Sequence, residues 1–317
     1  MKTVRVLKLI SLCLALTFLA GAIVIYPERY VTCCFQGFAM WAECVLPSLF
    51  PFMVITLILI KSGAADKASL PLKKVTGVFG LPPAAALCFV ISLCSGYPAG
   101  TKCVAEFYES GCLSARDCKK LAALCSTSGP LFIIGSVGVK MFGDKSAGQI
   151  ILLAHIISVL SVALFLSLIL KRGDNTEYKR AVPQGNLLYD SFYGAVTAVA
   201  VAGGFIAFFS VTAQILYDFD ILLPLEKLIA LFTDEASASA VCRGLIEVTR
   251  GCRELAGTGS DLGVPFCGFL ITFGGVSIIL QQMGYLQKAK VSGAYFVAVK
   301  AVQGMLCFIL LLLFGAI

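Results

Sequence analysis

Charge and histidine are what this 317-residue chain has least of: 14% of its residues are charged, and His155 is its one histidine. A lone histidine leaves no H-E-x-x-H pair and no histidine-rich ligand set. The fourteen cysteines are scattered through apolar segments without a paired spacing. They read as small apolar side chains or free thiols rather than as a disulfide framework. Cys112, Cys118 and Cys125 have no histidine near them in sequence, so no metal site is expected. A P-loop is missing, which argues against ATP hydrolysis in this chain, and the serine of "CSGY" has no base beside it, as an intramembrane protease would need. Neither an enzyme activity nor a cofactor is expected.

What remains is mostly hydrocarbon. Hydrophobic residues make up 59% of the chain and the mean hydropathy is +0.93, too apolar for a soluble globular protein of this size. Apolar stretches run from Leu7 to Tyr26, Val45 to Ile60, Ala147 to Leu170, Tyr189 to Tyr217, Val264 to Gln282 and Tyr295 to Phe314. Each is about long enough to cross a bilayer as a helix, and none shows the short alternation of a β-barrel strand. The expected fold is an all-α integral membrane protein, a multi-pass helical bundle partnered by the lipid bilayer. The net charge of +7 comes from short basic clusters between the spans, the pattern of topology signals and not of a nucleic-acid surface.

The opening "MKTVRVLKLISLCLALTFLAGA" has the basic start, apolar run and small residues of a signal peptide. Its apolar run continues through Ile23, Val24 and Ile25, longer than a typical signal core, so an uncleaved helix is expected, with an amphipathic connector completing residues 1–44. Lys2, Arg5 and Lys8 are expected to place the N-terminus on the cytoplasmic side, and Lys61, Lys67, Lys73 and Lys74 to mark the chain's return to that side. The next basic cluster, Arg116, Lys119 and Lys120, comes after only one apolar stretch, Val75 to Leu93, and the segment "SLCSGYPAGTKCVAEF". A single crossing would put that cluster outside. A segment that enters, breaks at "SGYPAG" and comes back keeps both clusters inside, which predicts a re-entrant hairpin.

From Leu121 a helix is then expected to run outward through a second break, "CSTSGPLFIIGSVG", and a span to return to the polar "KRGDNTEYKR" within a linker over 171–188. The second half follows the same plan inverted, with a hairpin inside Ala236 to Gly257. Residues 45–170 and 189–317 are therefore expected to form two inverted repeats around two re-entrant hairpins, an organisation typical of secondary transporters.

Four interruptions carry the candidate site. They are Ser95, Gly96, Tyr97, Pro98 and Gly100 in "SGYPAG", Ser128, Gly129 and Pro130 in "STSGP", Glu247, Thr249 and Arg250 in "EVTRG", and Gly274 and Gly275 in "FGGVS". Glycine frees the backbone and proline removes a donor, so these points present unpaired N–H and C=O groups, and a half-helix N-terminus there favours an anionic ligand group. The bland alternative is close helix packing. Ionisable residues at membrane depth usually face a cavity or a partner, and Lys102, Glu106, Glu109, Glu247, Arg250, Arg253 and Glu254 all fall in the hairpins. Lys102 with Glu106, and Arg250 with Glu254, are spaced to pair on one helix face, so pairing and ligand contact both stand open. Gln281 and Gln282 lie near a span end and fit an interfacial position as well as a site. His155 reads as a packed polar residue.

"SGYPAGTKCVAEFYESG", "CSTSGPLFIIGSVGVKMFG", "GLIEVTRGC" and "FGGVSIILQQ" together resemble the YlbJ/SpoVV sporulation integral membrane proteins, from about Leu46 to the C-terminus. The resemblance implies a nucleoside-recognition, or gate, domain related to concentrative nucleoside transporters. It makes the two repeats gate-like and frames a substrate region with the matched Ser95, Gly96, Tyr97, Pro98, Gly100, Ser128, Gly129, Pro130, Glu247, Thr249 and Gly251. It also implies a part in endospore formation, in the outer forespore membrane of a sporulating host, with passage of dipicolinic acid from mother cell toward forespore. The expected function is transport of a small organic anion such as dipicolinate, a flat dicarboxylate suited to half-helix N-termini with Lys102 or Arg250 nearby. The alternatives are transport of a nucleoside or related heterocycle, and a non-transporting receptor or scaffold on a transporter-like fold. The coupling ion is not readable from the sequence, and a homo-oligomer is compatible with it.

Overall fold

The computed structural model describes residues 2–62, 73–171, 173 and 186–315, and among these it is all helix and loop. Lys67 and most of the 171–188 linker lie outside the described residues. Helix α1 (Lys2–Ile25) leads to α2 (Pro27–Met40), which starts on a proline, a residue that loses nothing in the first turn of a helix. Helix α2 passes through a π-helical stretch, Trp41–Val45, into α3 (Leu46–Ser62). The expected boundary at residue 44 is therefore absent. The amphipathic connector and the next span are one continuous helix, which also accommodates Pro47 and Pro51.

The apolar stretch Val75 to Leu93 is also not one helix. Helix α4 (Lys73–Val78) stops in a turn where Gly80 has φ +60° and Pro82 and Pro83 come next, and α5 (Ala85–Ser95) begins beyond it. Helix α6 (Ala99–Glu109) succeeds it, then α7 (Ala115–Leu124), which opens on a capping box between Ser114 and Asp117. An extended piece precedes the π-helical α8 (Phe132–Met141), and the first half closes with α9 (Lys145–Ile169). The second half comprises α10 (Leu187–Asp218), α11 (Leu223–Ile229), α12 (Glu235–Ile246), α13 (Val248–Thr258), α14 (Gly263–Phe273), α15 (Gly275–Leu286) and α16 (Gly293–Gly315). Asp234 caps α12, and hydrogen bonds from the Ser237 hydroxyl and backbone N–H pull its carboxyl down to about 2.

Among the described residues five helical stretches are long and apolar enough to cross a membrane: Pro27–Leu59, Lys145–Ile169, Leu187–Asp218, Gly263–Leu286 and Gly293–Gly315. Exposed Leu, Ile and Phe side chains along α1, α9, α10 and α16 fit a surface solvated by lipid. The long α2–α3 helix lies antiparallel to α10. Arg29 pairs with Asp218 at one end, Trp41 Nε1 donates to Val199 O at 2.9 Å midway, and Phe50 meets Phe192 toward the other end.

Helices α5 and α6 form a hairpin whose tip is buried and whose open ends share the side of Lys61. Glu106 lies within electrostatic reach of Lys61 and Lys288, Lys288 pairs with Glu109 at 3.8 Å, and Lys120 Nζ donates to Phe79 O at 3.3 Å. Helices α12 and α13 form a second hairpin, its ends joined by Ser237 and Thr258 at 3.3 Å. The arms of α5 and α6 are 11 residues each. That is about 16 Å of helix, roughly half of a bilayer's hydrocarbon thickness.

The Lys120 contact with Phe79 places the two basic clusters together. Single cysteines at Lys74 and Lys119, in a chain cleared of its native cysteines, are expected to react with an impermeant thiol reagent from the same side of the membrane. Reaction from opposite sides would overturn the hairpin arrangement of α5 and α6.

Candidate functional site

All four interruptions are real breaks, and they meet in pairs. At the first, Ser95 ends α5, Gly96 takes φ +69° and the Tyr97–Pro98 bond is cis before α6 begins. A Cβ on Gly96 would sit 2.5 Å from Gly129 N, so the backbones of the first and second breaks touch, and one on Gly100 would collide with Cys125 O. Thr127 Oγ1 donates to Ser92 O at 2.8 Å, which leaves the Ser92 hydroxyl to donate to Thr127 Oγ1 at 2.7 Å. At the tip, Ser95 Oγ is 2.7 Å from Thr56 Oγ1 of α3. The backbone groups that leave helical geometry are thus met by neighbouring hydroxyls and peptides, as burial demands.

The third and fourth breaks repeat the device. Glu247 lies in extended geometry between α12 and α13, and its fully buried carboxylate accepts from Thr249 N at 3.1 Å and Arg250 N at 2.8 Å. That carboxylate occupies the N-terminus of α13, so the expectation that this half-helix end serves a ligand anion is corrected: its donors are already spent on Glu247. Gly274 and Gly275 have φ +94° and +57°, and a Cβ on Gly275 would press on Gly244 O at 3.0 Å and Leu245 O at 3.1 Å of the second hairpin. Gly251 in turn packs on Gly244 too closely for a side chain.

Between the two pairs lies a small cavity of about 40 Å³. Its polar lining comes from the breaks and the helix turns just beyond them: Tyr97, Ser128, Gly129, Glu247, Thr249 and Gln281, with Val45, Phe132, Ile206 and Ile278 among the apolar walls. A water needs roughly 10–15 Å³ of such space, so this cavity has room for a few waters and falls far below the roughly 300–1,000 Å³ of a ligand pocket. Directly beyond it opens a vestibule of about 820 Å³, lined by Arg243, Arg250, Arg253, Glu235, Glu254 and Tyr217 among others.

The wall between the two spaces is one helical turn thick on three elements. Glu247 lines the cavity and Arg250 the vestibule on α13, Ile206 and Ser210 do so on α10, and Val45 and Met40 flank the π-helical stretch between α2 and α3. Three to five residues of helix are about 5–8 Å.

The predicted residues therefore separate. Tyr97, Ser128, Gly129, Glu247 and Thr249 share the cavity. Ser95, Gly96, Pro98, Gly100, Pro130, Gly274 and Gly275 shape the breaks without lining it. Lys102 faces a different, smaller space with Thr56 and Glu106, and its ammonium stands 3.9 Å from the Glu106 carboxylate. Arg250 faces the vestibule and is heavily engaged: Nε bonds Glu254 at 2.7 Å, one terminal nitrogen bonds Ser210 O at 3.0 Å, and the other bonds Gln214. Glu254 also holds Arg243 at 2.7 Å, and Arg243 lies 4.4 Å over the Tyr217 ring. Gln281 and Gln282 are buried and not interfacial, whereas Val276 and Leu280 of the same helix are exposed.

Sequence reasoning missed Lys300 and Gln303, both fully buried on α16, and the partners of His155. His155 Nε2 accepts from Ser128 N at 3.1 Å, so that nitrogen carries no proton, and Nδ1–H donates to Thr272 Oγ1 at 2.9 Å. A lysine inside the apolar run Tyr295 to Phe314 was itself the available signal.

Sporulation integral membrane protein YlbJ of Bacillus subtilis (strain 168) is 25% identical to this chain over 321 aligned residues, covering 90% of this chain and 78% of the relative. No protein-family profile matches the chain, and no solved structure does. The similarity supports assignment to the YlbJ family, and with the apolar helices it makes the chain a multi-pass integral membrane protein.

The glycine contacts separate two substitutions that look alike in sequence. Gly96→Ala forces a side chain into Gly129 at a positive φ, and is expected to lower stability by about 2 kcal/mol or more. Gly129→Ala meets only ordinary contacts at 3.7 Å. It is expected to change stability by less than about 0.5 kcal/mol. Thermal melting of the purified proteins in detergent checks both, and equal losses would contradict the contact between the first two breaks.

Proposed function

We propose that this YlbJ-family membrane protein is a transporter whose substrate crosses through the small cavity, and that the substrate is a small organic anion such as dipicolinate. The observation that carries the reading is the meeting of four helix interruptions at one polar cavity, one turn of helix beneath an arginine-lined vestibule. Irregular backbone at membrane depth belongs where it lines a path. We read the two hairpins as entering from opposite faces, and each touches a broken helix through glycine. That supports reading them as re-entrant halves of an inverted repeat, with transport achieved by moving one half against the other.

The vestibule favours the anion. Arg243, Arg250 and Arg253 outnumber Glu235 and Glu254 there, and a cleft with one sign of charge raises the local concentration of the opposite sign. Of the three, Arg253 is the most exposed and has no ion-pair partner among the described residues, whereas Arg250 is built into the wall. A specific observation favours the nucleoside reading: the charge lining the cavity itself is the Glu247 carboxylate, joined by Tyr97 and Gln281, a set that suits a neutral hydroxylated or heterocyclic substrate.

Uptake of labelled dipicolinate into proteoliposomes, with uridine as the comparison, decides between them. Dipicolinate uptake that exceeds uridine uptake is expected. Absence of uptake for both, with a protein partner recovered by cross-linking, would favour a receptor or scaffold instead. Arg253→Gln is expected to raise the KM for dipicolinate by about three- to tenfold, on the order of 1 kcal/mol, with uridine unaffected and the melting temperature unchanged. Arg250→Gln is expected to lower the melting temperature and to depress both substrates alike, since it removes a strut of the wall. A selective loss of dipicolinate in folded Arg250→Gln protein would return Arg250 to direct substrate contact.

A further inference from the structure

Helix α16 turns two polar side chains, Lys300 and Gln303, into the protein interior, where both are fully buried. The Lys300 ammonium donates to Ser126 O at 2.7 Å, and the Gln303 amide donates to Ala123 O at 2.8 Å. The Ala123 carbonyl belongs to the last turn of α7, and the Ser126 carbonyl lies two residues beyond the end of that helix, where the chain becomes extended for the second break. Such an end carries partial negative charge and carbonyls with no partner inside the helix. Cut within a membrane, it is a place where a transporter holds sodium or a proton. Here the chain supplies a cation of its own.

That cation has no neutralising partner among the described residues, where no carboxylate lies within ion-pair distance of Lys300. The titratable groups near it are Cys307 on its own helix, Cys267 on α14 and His155 on α9. His155 is neutral by its hydrogen bonds. Cys125, the C-cap of α7 and the neighbour of Ser126, sits near Cys103 and Cys118, while Asp117 is bonded to Ser114 and Lys120 to Phe79 O. Two oxygens on the same residues, Ser126 Oγ and Gln303 Oε1, are buried without a hydrogen-bond partner among the described residues, so the site has acceptor capacity that a rearranged ammonium or an entering water can use.

We propose that Lys300 is the ion-coupling group of this protein: its ammonium stands where a transported sodium ion would otherwise sit, and the ion exchanged in the cycle is the proton on Nζ. The inference rests on the transport reading. When the broken helix admits water, one N–H bond of the ammonium breaks, the electron pair stays on nitrogen, and the proton leaves on that water as hydronium. The neutral amine no longer compensates the α7 end. Ser126 is two residues from Ser128, which lines the cavity and is held by His155. The charge change therefore acts within about 7 Å of chain from the cavity wall.

Reconstituted protein tests this with two separate readouts. Exchange of labelled against unlabelled substrate reports transport without any ion gradient, and its absence in the wild type for both dipicolinate and uridine would defeat the transport reading alone. Accumulation reports coupling. A pH gradient is expected to drive it and replacement of sodium by potassium to leave it unchanged. In Lys300→Arg, whose charge cannot be released, exchange is expected to stay within about threefold of wild type while accumulation falls at least about tenfold. Sodium-dependent accumulation, or pH-driven accumulation by Lys300→Arg equal to wild type, would overturn the proposal. Should no substrate be transported, melting in detergent still decides the titration: the difference in melting temperature between wild type and Lys300→Met should change between about pH 6 and about pH 9. A flat difference would mean that Lys300 is a fixed cap on α7 and nothing more.

Discussion

Hydrocarbon offers a peptide group no hydrogen bond, and that constraint organises this protein around its four interruptions. A continuous helix satisfies its own backbone. A helix that stops inside must have its loose N–H and C=O groups met by the protein, each at a cost of several kcal/mol if it is not. Three of the four breaks are answered by side chains: Thr127 and Ser92 knit the first hairpin to the second break, Glu247 caps α13, His155 holds Ser128 N, and Lys300 with Gln303 covers carbonyls at and just beyond the end of α7. Glycine pairs let the broken backbones touch, so little space is left over, and the cavity that survives is small. The same tight contacts make a resting closure that only movement of whole elements can relieve.

The charges divide along the same lines. At the vestibule the arginines and carboxylates are partly exposed and cross-linked through Glu254, which two arginines share. Such a network is rigid, and it leaves Arg253 unengaged beside a space of ligand size. Deeper in, charge is rare, and two of its instances stand at helix ends, the Glu247 carboxylate at the N-terminus of α13 and the Lys300 ammonium just past the C-terminus of α7. Both signs agree with the helix dipole they face. The interior charges are therefore part of how the breaks are stabilised, and any step that moves a proton onto or off one of them also changes the stability of a break.

Much of this was legible in the sequence because it is written in residues with strong local meaning. Gly96, Pro98, Pro130, Gly274 and Gly275 mark the interruptions, and the basic clusters around Lys74 and Lys119 required a hairpin between them. Other features depend on packing that no local pattern encodes. Helices α9, α14 and α16 are apolar on all sides, so periodicity gives no facing and cannot show that Lys300 points at α7 or His155 at Ser128. The turn at Gly80 to Pro83 was submerged in an apolar average, although its prolines were visible. Arg250 was assigned to the break by its position in the chain, yet a side chain three residues past a helix start points away from the preceding loop. That difference of one turn carries it from the cavity into the vestibule.

The geometry also bears on what bounds a cavity with room for only a few waters. On the vestibule side the barrier consists of single turns of α13, α10 and the π-helical stretch at Trp41 to Val45. A π-helical segment has weaker backbone geometry than an α-helix and often marks a functional position. Both π-helical segments, Trp41–Val45 and Phe132–Met141, contribute cavity residues, Val45 and Phe132, and they are joined directly: Ser136 Oγ donates to Cys44 O at 2.5 Å. Reversion of either stretch to α-helical geometry would rotate its side chains relative to the remainder of the helix. Val45 and Phe132 would then swing away from or into the cavity without any change in the membrane-spanning framework. Side-chain rotation on two coupled helices would thus reshape the cavity wall, while relief of the glycine contacts between the breaks would still take movement of whole elements.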